Sequence, residues 1–102
     1  MSPLDLDGLQ LDLARGAAWR NGRSVTLTDR EVAILRWLYR HRSRPVSRPE
    51  LLREIWKLPG NLRTRTVDMT ISNLRRKIET ESSSPRIVVT IKGRGYAWGV
   101  PD

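Results

Sequence analysis

The chain has 102 residues, no cysteine, a single histidine and a formal net charge of +8; this length makes one domain, able to bury roughly two-thirds of its unfolded surface without staples. Disulfides, thiolate metal sites and a cysteine nucleophile are excluded, no run approaches the roughly 18 apolar residues of a membrane span, and no secretory signal is expected from the first residues. The charge is uneven: residues 1–27 hold three acidic and three basic groups, residues 28–60 four against eight, and residues 61–101 three against eight, which implies a polyanion-facing side in the later two-thirds.

The opening third alternates. Leu4 and Leu6, then Leu9, Leu11 and Leu13, then Trp19, then Val25 and Leu27 recur in short runs, with Asp7-Gly8 and Asn21-Gly22 between them as two-residue hairpin signals. An antiparallel meander of about four short strands, apolar on one face, is predicted. Thr28-Asp29-Arg30-Glu31 is a capping box. It opens a first helix with Val32, Leu35 and Leu38 inward, Ile34 at the flank, and Arg36, Arg40 and Arg42 elsewhere. Pro45 and Val46 make a short extended link. Ser47-Arg48-Pro49-Glu50 is a second capping box, opening a helix that buries Leu51, Leu52 and Ile55 and stops at Leu58-Pro59-Gly60. Lys57 to Thr64 spans eight residues, where a plain helix-turn-helix uses a turn of about three or four. Such a loop is either a spacer or a surface held out for another protein.

A third helix is predicted over about Thr64–Glu79. Val67, Ile71, Leu74 and Ile78 fall at i, i+4, i+7 and i+11, one apolar stripe. At about 100° per residue the opposite side carries Arg65, Met69, Ser72, Asn73 and Arg76, with Thr66, Thr70 and Lys77 beside them. That face has no carboxylate. Asp68, in the first turn, suits the helix dipole and needs no other role. Trp37 is read as core or near-core, and His41, with no second metal-ligating partner, as a surface residue. Ile87–Ile91 then reads as a strand, Lys92-Gly93-Arg94-Gly95 as a turn, and Tyr96–Val100 as a returning strand. A cationic, hydrogen-bonding helix followed by a hairpin with a basic tip suits a DNA groove and its neighbour. With one histidine and no Gly-rich phosphate loop, no metal site, cofactor site or nucleophile–base pair assembles, so no enzyme is expected.

Several of these motifs occur together in one known pattern. Leu27-Thr28-x-x-Glu31, the Ser47-Arg48 helix start, Arg65-x-Val67-Asp68-x-x-Ile71-x-x-Leu74-Arg75-x-Lys77 and Val89-Thr90-Ile91-Lys92-Gly93-x-Gly95-Tyr96 resemble the OmpR/PhoB-type winged-helix effector domains of bacterial two-component response regulators. The resemblance covers nearly the whole chain. It implies an α+β fold, a winged helix-turn-helix with an N-terminal four-stranded antiparallel sheet (1–27), a three-helix core (28–81) and a C-terminal wing hairpin (86–100), in one domain over 1–102. It implies cytoplasmic transcriptional control under a phosphorelay, by binding double-stranded DNA at tandem direct repeats, with a receiver domain upstream in the full-length protein and the isolated domain monomeric.

Carried onto this sequence, the resemblance puts the third helix in the major groove and the wing, about Thr90–Tyr96, on the adjacent minor groove or backbone. Asn73 stands where the family often has a base-reading Arg, and would pair with adenine N6/N7. Thr70 and Thr66 are neighbouring polar contacts. Met69 and Leu62 match apolar positions suited to thymine methyls. Arg65, Ser72, Arg75 and Arg76 are phosphate clamps, with Lys77 beside them. Thr90, Lys92 and Arg94 belong to the wing, Lys92 replacing a more common Arg, and Tyr96 packs the wing onto the third helix. Lys57, Leu58, Asn61, Leu62 and Arg63 form the loop through which RNA polymerase or another partner would be met. The competing readings are a winged helix that grips only protein through this loop, and sequence-blind DNA binding by charge alone.

Overall fold

A computed structural model describes residues 3–101; the expected span of 1–102 also takes in Met1, Ser2 and Asp102, which lie outside the described residues. The first four strands, β1 (Leu4–Leu6), β2 (Leu9–Asp12), β3 (Ala17–Arg20) and β4 (Arg23–Val25), form an antiparallel meander in that order. Its two tight turns are set by local chemistry. Asp7 and Gly8 sit at φ +55° and +88°, and Asn21 and Gly22 at +53° and +77°, the left-handed pairs whose twist matches that of the flanking strands. Leu11 pairs with Leu4 and Ala18, and Ala18 with Val25, which fixes the inner face. Trp19 pairs instead with Gln10 and Ser24 on the outer face. The expectation that it would share the apolar face fails because Ala18, too small to stand out in a hydrophobic pattern, takes the inward position of β3.

Helix α1 (Asp29–Arg40) starts as the sequence predicts: Thr28 Oγ1 accepts from Glu31 N at 3.2 Å, and Glu31 Oε1 accepts from Thr28 N at 2.8 Å. Its buried stripe is wider than predicted. Ile34 is fully buried rather than flanking, because α1 packs against both other helices and the final strand. His41, expected at the surface, is half-buried with its ring 4.6 Å from that of Trp37.

Helix α2 (Arg48–Trp56) has only half of its expected capping box. Ser47 Oγ accepts from Glu50 N at 3.2 Å, but the Glu50 carboxylate turns away to Arg44, at 2.9 Å to each nitrogen of the fork, and to Trp37 Nε1 at 2.8 Å. The helix ends before Leu58-Pro59-Gly60. Lys57 takes the left-handed conformation, φ +57°, and the N–H groups of Lys57 and Leu58 both turn back to Leu52 O, a Schellman-like close.

Helix α3 (Thr66–Ile78) begins two residues later than predicted, at an Arg65 N-cap that makes no side-chain cap bond. Thr64 Oγ1 accepts from Thr66 N at 3.2 Å instead. Strands β5 (Val88–Ile91) and β6 (Gly95–Trp98) form the C-terminal hairpin, Ile91 opposite Gly95. The extended link at Val46 pairs with Tyr96 through bonds of 2.7 and 2.9 Å, so the segment between α1 and α2 lies along the hairpin. Gly95 makes that approach possible: a Cβ there would lie 2.2 Å from Val46 O, and its φ is +123°. The core joins Leu9 and Leu11 of the sheet, Ile34, Leu35 and Leu38 of α1, Leu51 of α2, Ile71, Leu74 and Ile78 of α3, and Val88 of the hairpin, all at most 1% exposed.

Candidate nucleic-acid interface

Burying Val67, Ile71, Leu74 and Ile78 leaves the other side of α3 in solvent. Arg65, Met69, Ser72 and Arg76, spaced i, i+4, i+7 and i+11, run down its centre, with Asn73 beside them; all five are exposed, Met69 to 61%. Thr66 and Thr70 are half-buried at its edge. The predicted apolar stripe and the outward polar face are therefore both present. Within that face Arg76 Nη1 donates to Ser72 Oγ at 3.2 Å and Nη2 donates to Asn73 Oδ1.

Two residues expected among the DNA contacts, Lys77 and Arg75, bond to other parts of the fold. Lys77 Nζ donates at 2.7 Å to Glu31 Oε1, whose side chain is 3% exposed; the acid that caps α1 thereby anchors α3. Arg75 donates from Nε to Val88 O at 2.9 Å and from Nη2 to Thr90 Oγ1 at 2.8 Å, holding β5 against α3. The period placed Lys77 beside the outer face and the family resemblance made Arg75 a phosphate clamp, but long stems let their charged heads swing toward acceptors that sequence spacing does not reveal. Thr90 is exposed with its hydroxyl on Arg75, and Lys92 and Arg94 are exposed at the hairpin tip.

The wing is fixed to the helix at a second point. Tyr96 Oη donates at 2.5 Å and Arg48 Nε at 2.6 Å to the same Asp68 oxygen, and Arg48 Nη2 reaches Tyr96 Oη at 3.3 Å. The Arg48 and Arg75 guanidiniums lie 5.0 and 5.4 Å from the Tyr96 ring centre, within cation–π reach. Burial pushes the Asp68 carboxyl upward, yet the bonds from Tyr96 and Arg48, with the charges of Arg48 and Arg65, hold it below the usual aspartate range. Burial and the Asp68 bond push the Tyr96 phenol up. Asp68 was read as a helix-dipole residue. In the structure it is the hub where α2, α3 and β6 meet, a role sequence spacing misses because its partners lie 20 and 28 residues away. Tyr96 packs the wing onto α3 as expected.

The C-terminal end of α3 is tied down twice. Arg20 donates from Nη2 to Ile78 O, a cation at the helix C-terminus, where the dipole favours it. Glu79, 8% exposed, accepts from Arg86 N at 2.8 Å, Ile87 N at 3.0 and 3.1 Å, and Val88 N at 2.8 Å. One carboxylate therefore joins the end of α3 to the start of the wing. The loop from Lys57 to Thr64 stays outside these networks: Lys57, Leu58, Asn61, Leu62 and Arg63 are exposed, Leu58 to 39% and Leu62 to 48%. Among the described residues no group of three or more His, Cys, Asp or Glu is arranged for a metal ion, and no helix is long and apolar enough to cross a membrane.

A four-stranded sheet, three helices with a cationic third, and a hairpin bound to that helix define a winged helix-turn-helix. Residues 22–98 match the family described as "Transcriptional regulatory protein, C terminal", and the chain belongs to that family. Among curated relatives, the CpxR homolog of Haemophilus influenzae, a transcriptional regulatory protein, is 39% identical over 94 residues, 92% of this chain and 41% of its own length. CusR of Escherichia coli K12 is 29% identical over 101 residues, 99% of this chain and 44% of its own. The chain thus spans about two-fifths of the curated relatives it matches. Among solved structures, the DNA-binding domain of CpxR from E. coli superposes with a TM-score of 0.75 at 33% identity, over 96% of each chain. The Thermotoga maritima response regulator DrrB, an OmpR/PhoB homolog, gives 0.82 at 29% identity over 97% of this chain and 45% of its own. The Klebsiella pneumoniae RstA DNA-binding domain, solved with its RstA box, gives 0.80 at 23% identity over 97% and 98%, a likeness of fold.

Proposed function

We propose that this chain is the sequence-specific double-stranded-DNA-binding effector domain of a cytoplasmic response regulator. Helix α3 enters the major groove with Arg65, Met69, Thr70, Ser72, Asn73 and Arg76, and the wing tip, Lys92 and Arg94, meets the adjacent minor groove or backbone. The observation that carries this is the carboxylate-free exposed face of α3, bolted through Arg75, Asp68 and Glu79 to a hairpin with a basic tip. A rigid helix–wing pair presents its contacts at little ordering cost on binding. Arg75 acts in this reading as a strut that sets the wing, and Lys77 as an anchor of α3. Family membership and the DNA complex of the RstA fold neighbour support the same partner. A receiver domain upstream is supported by the family's C-terminal description and by curated relatives that extend well beyond this span, and binding at tandem direct repeats is what the resemblance to OmpR/PhoB-type effector domains implies. The exposed Leu58 and Leu62 favour a second, compatible role for the 57–64 loop as a contact for RNA polymerase.

The test is selection from random duplex DNA at physiological salt. A reader enriches a half-site, and Thr70→Ala with Asn73→Ala weakens the enrichment. Retention with no enriched motif, and a salt slope near about −0.9 per phosphate neutralised, would instead mean binding by charge alone.

A further inference from the structure

The outer face of α3 holds a cluster whose geometry bears on which base is read. Arg76 lies one turn beyond Ser72 and Asn73, and its fork donates to both, to Ser72 Oγ at 3.2 Å and to Asn73 Oδ1. All three side chains are exposed. A guanidinium has only donors, so Asn73 must turn its carbonyl oxygen toward Arg76 and its amide nitrogen outward. Three other tied cations differ. Arg44, Arg48 and Lys77 are held by carboxylates at 2.9, 2.6 and 2.7 Å, which offset their charge. The two side chains holding Arg76 are neutral. They orient its fork without cancelling its field.

The orientation changes what α3 offers. A free Asn presents one acceptor and one donor, the pattern that adenine N6 and N7 require. With one lone pair of Asn73 Oδ1 taken by Arg76, the cluster shows outward chiefly donors, the Asn73 amide hydrogens and the remaining N–H groups of Arg76. Guanine answers with two acceptors, O6 and N7, whereas the adenine N6 amine would oppose a donor. We infer that Arg76 is the guanine-reading residue of α3, held in place by Asn73 and Ser72, so that the half-site carries guanine where Asn73 alone would select adenine. The inference rests on the DNA-reading proposal above and replaces both the adenine expectation for Asn73 and the phosphate-clamp expectation for Arg76. A planar fork already fixed by two side chains loses little freedom when it meets a base, which favours Arg76 over an untethered Arg65 for this task.

The experiment uses the duplex that wild-type protein retains from the random pool. Each base pair is replaced in turn, and binding of wild type, Arg76→Ala and Asn73→Ala is measured by fluorescence anisotropy; circular dichroism confirms that both exposed substitutions leave the fold intact. Wild type is expected to prefer G·C over A·T at one position by roughly 5- to 150-fold, and to lose that preference when 7-deazaguanine removes N7. Asn73→Ala should narrow the preference without changing the base. Arg76→Ala frees Asn73 Oδ1 and should move the preference at that position to adenine. An adenine preference in wild type at the Asn73-dependent position would overturn the inference. So would an Arg76→Ala protein that binds all duplexes equally more weakly with its base preference intact, the signature of a phosphate contact. Absence of any enriched duplex overturns the DNA-reading proposal itself, and the inference with it.

Discussion

Replacing Glu79 by Gln tests whether one buried carboxylate fixes the wing to the recognition helix. The substitution keeps the shape of the side chain but leaves a single acceptor oxygen. If that oxygen stays with the N–H groups of Arg86 and Ile87, now at 2.8 and 3.0 Å, the new amide NH2 faces Val88 N–H, now bonded at 2.8 Å in a fully buried residue. An unsatisfied buried donor costs about 1–3 kcal/mol, and the two remaining bonds lose their charge assistance at about 1 kcal/mol each. The sum, about 3–5 kcal/mol, is a large part of the roughly 5–15 kcal/mol that stabilises a domain of this kind. Urea unfolding followed by circular dichroism and tryptophan fluorescence reads it directly. A fall in Tm of at least about 12 °C should accompany it. Glu81→Gln is the control: its carboxylate is exposed and bonds only to nearby Ser83, so a change within about 0.5 kcal/mol is expected. A Glu79→Gln protein within about 1 kcal/mol of wild type, with hydrogen exchange at Ile87 and Val88 unchanged, would refute the anchoring argument.

Gly95→Ala should destabilise by about 3–5 kcal/mol, because it adds overpacking against Val46 O to a backbone conformation that L residues avoid. Gly93→Ala, at φ +76° with open space around it, should cost only about 1–2 kcal/mol, and equal losses from the two would contradict the close-approach argument. Lys57→Gly should stabilise by about 0.5–1 kcal/mol, since Lys57 sits at φ +57°; a loss of stability in a urea titration would show that its side chain matters more than its backbone. For Asp68 the folded-state pKa is depressed, so its contribution is fully present above the unfolded value near ~4 and is lost as pH falls through the lower folded value. With a side chain 42% exposed, that contribution is at most about 1 kcal/mol after solvent screening. The stability gap between wild type and Asp68→Asn should therefore close below pH ~4, and a gap constant down to pH ~2 would show that the charge is not what matters.

Features decided within a few residues were legible in the sequence. The Asp7-Gly8 and Asn21-Gly22 turns, the Thr28–Glu31 capping box and the buried stripe of α3 rest on local chemistry and period, and each stands where predicted. Features decided by distant partners were not. Glu50 has the spacing of a capping box but binds Arg44 and Trp37 instead. Lys57 ends α2 in a conformation its side chain does not advertise. Arg48, Asp68 and Tyr96 lie far apart in the chain, and their convergence is visible only once α2 and β6 flank α3. At the candidate site the sequence revealed which face of α3 is polar. The period already set Arg65 and Arg76 apart from Arg75, but where the heads of Arg75 and Lys77 go depends on Val88 O and the Glu31 carboxylate, whose positions spacing does not reveal.

Methylation interference on the selected duplex tests the central claim most directly, because dimethyl sulfate marks guanine N7 in the major groove and adenine N3 in the minor groove. A recognition helix with an adjacent wing predicts that N7 methylation within each half-site blocks binding, while N3 methylation interferes only at the flanking step that faces Lys92 and Arg94. Uniform tolerance of N7 methylation across the bound site would contradict it, and would leave α3 a charged surface that holds DNA without reading it.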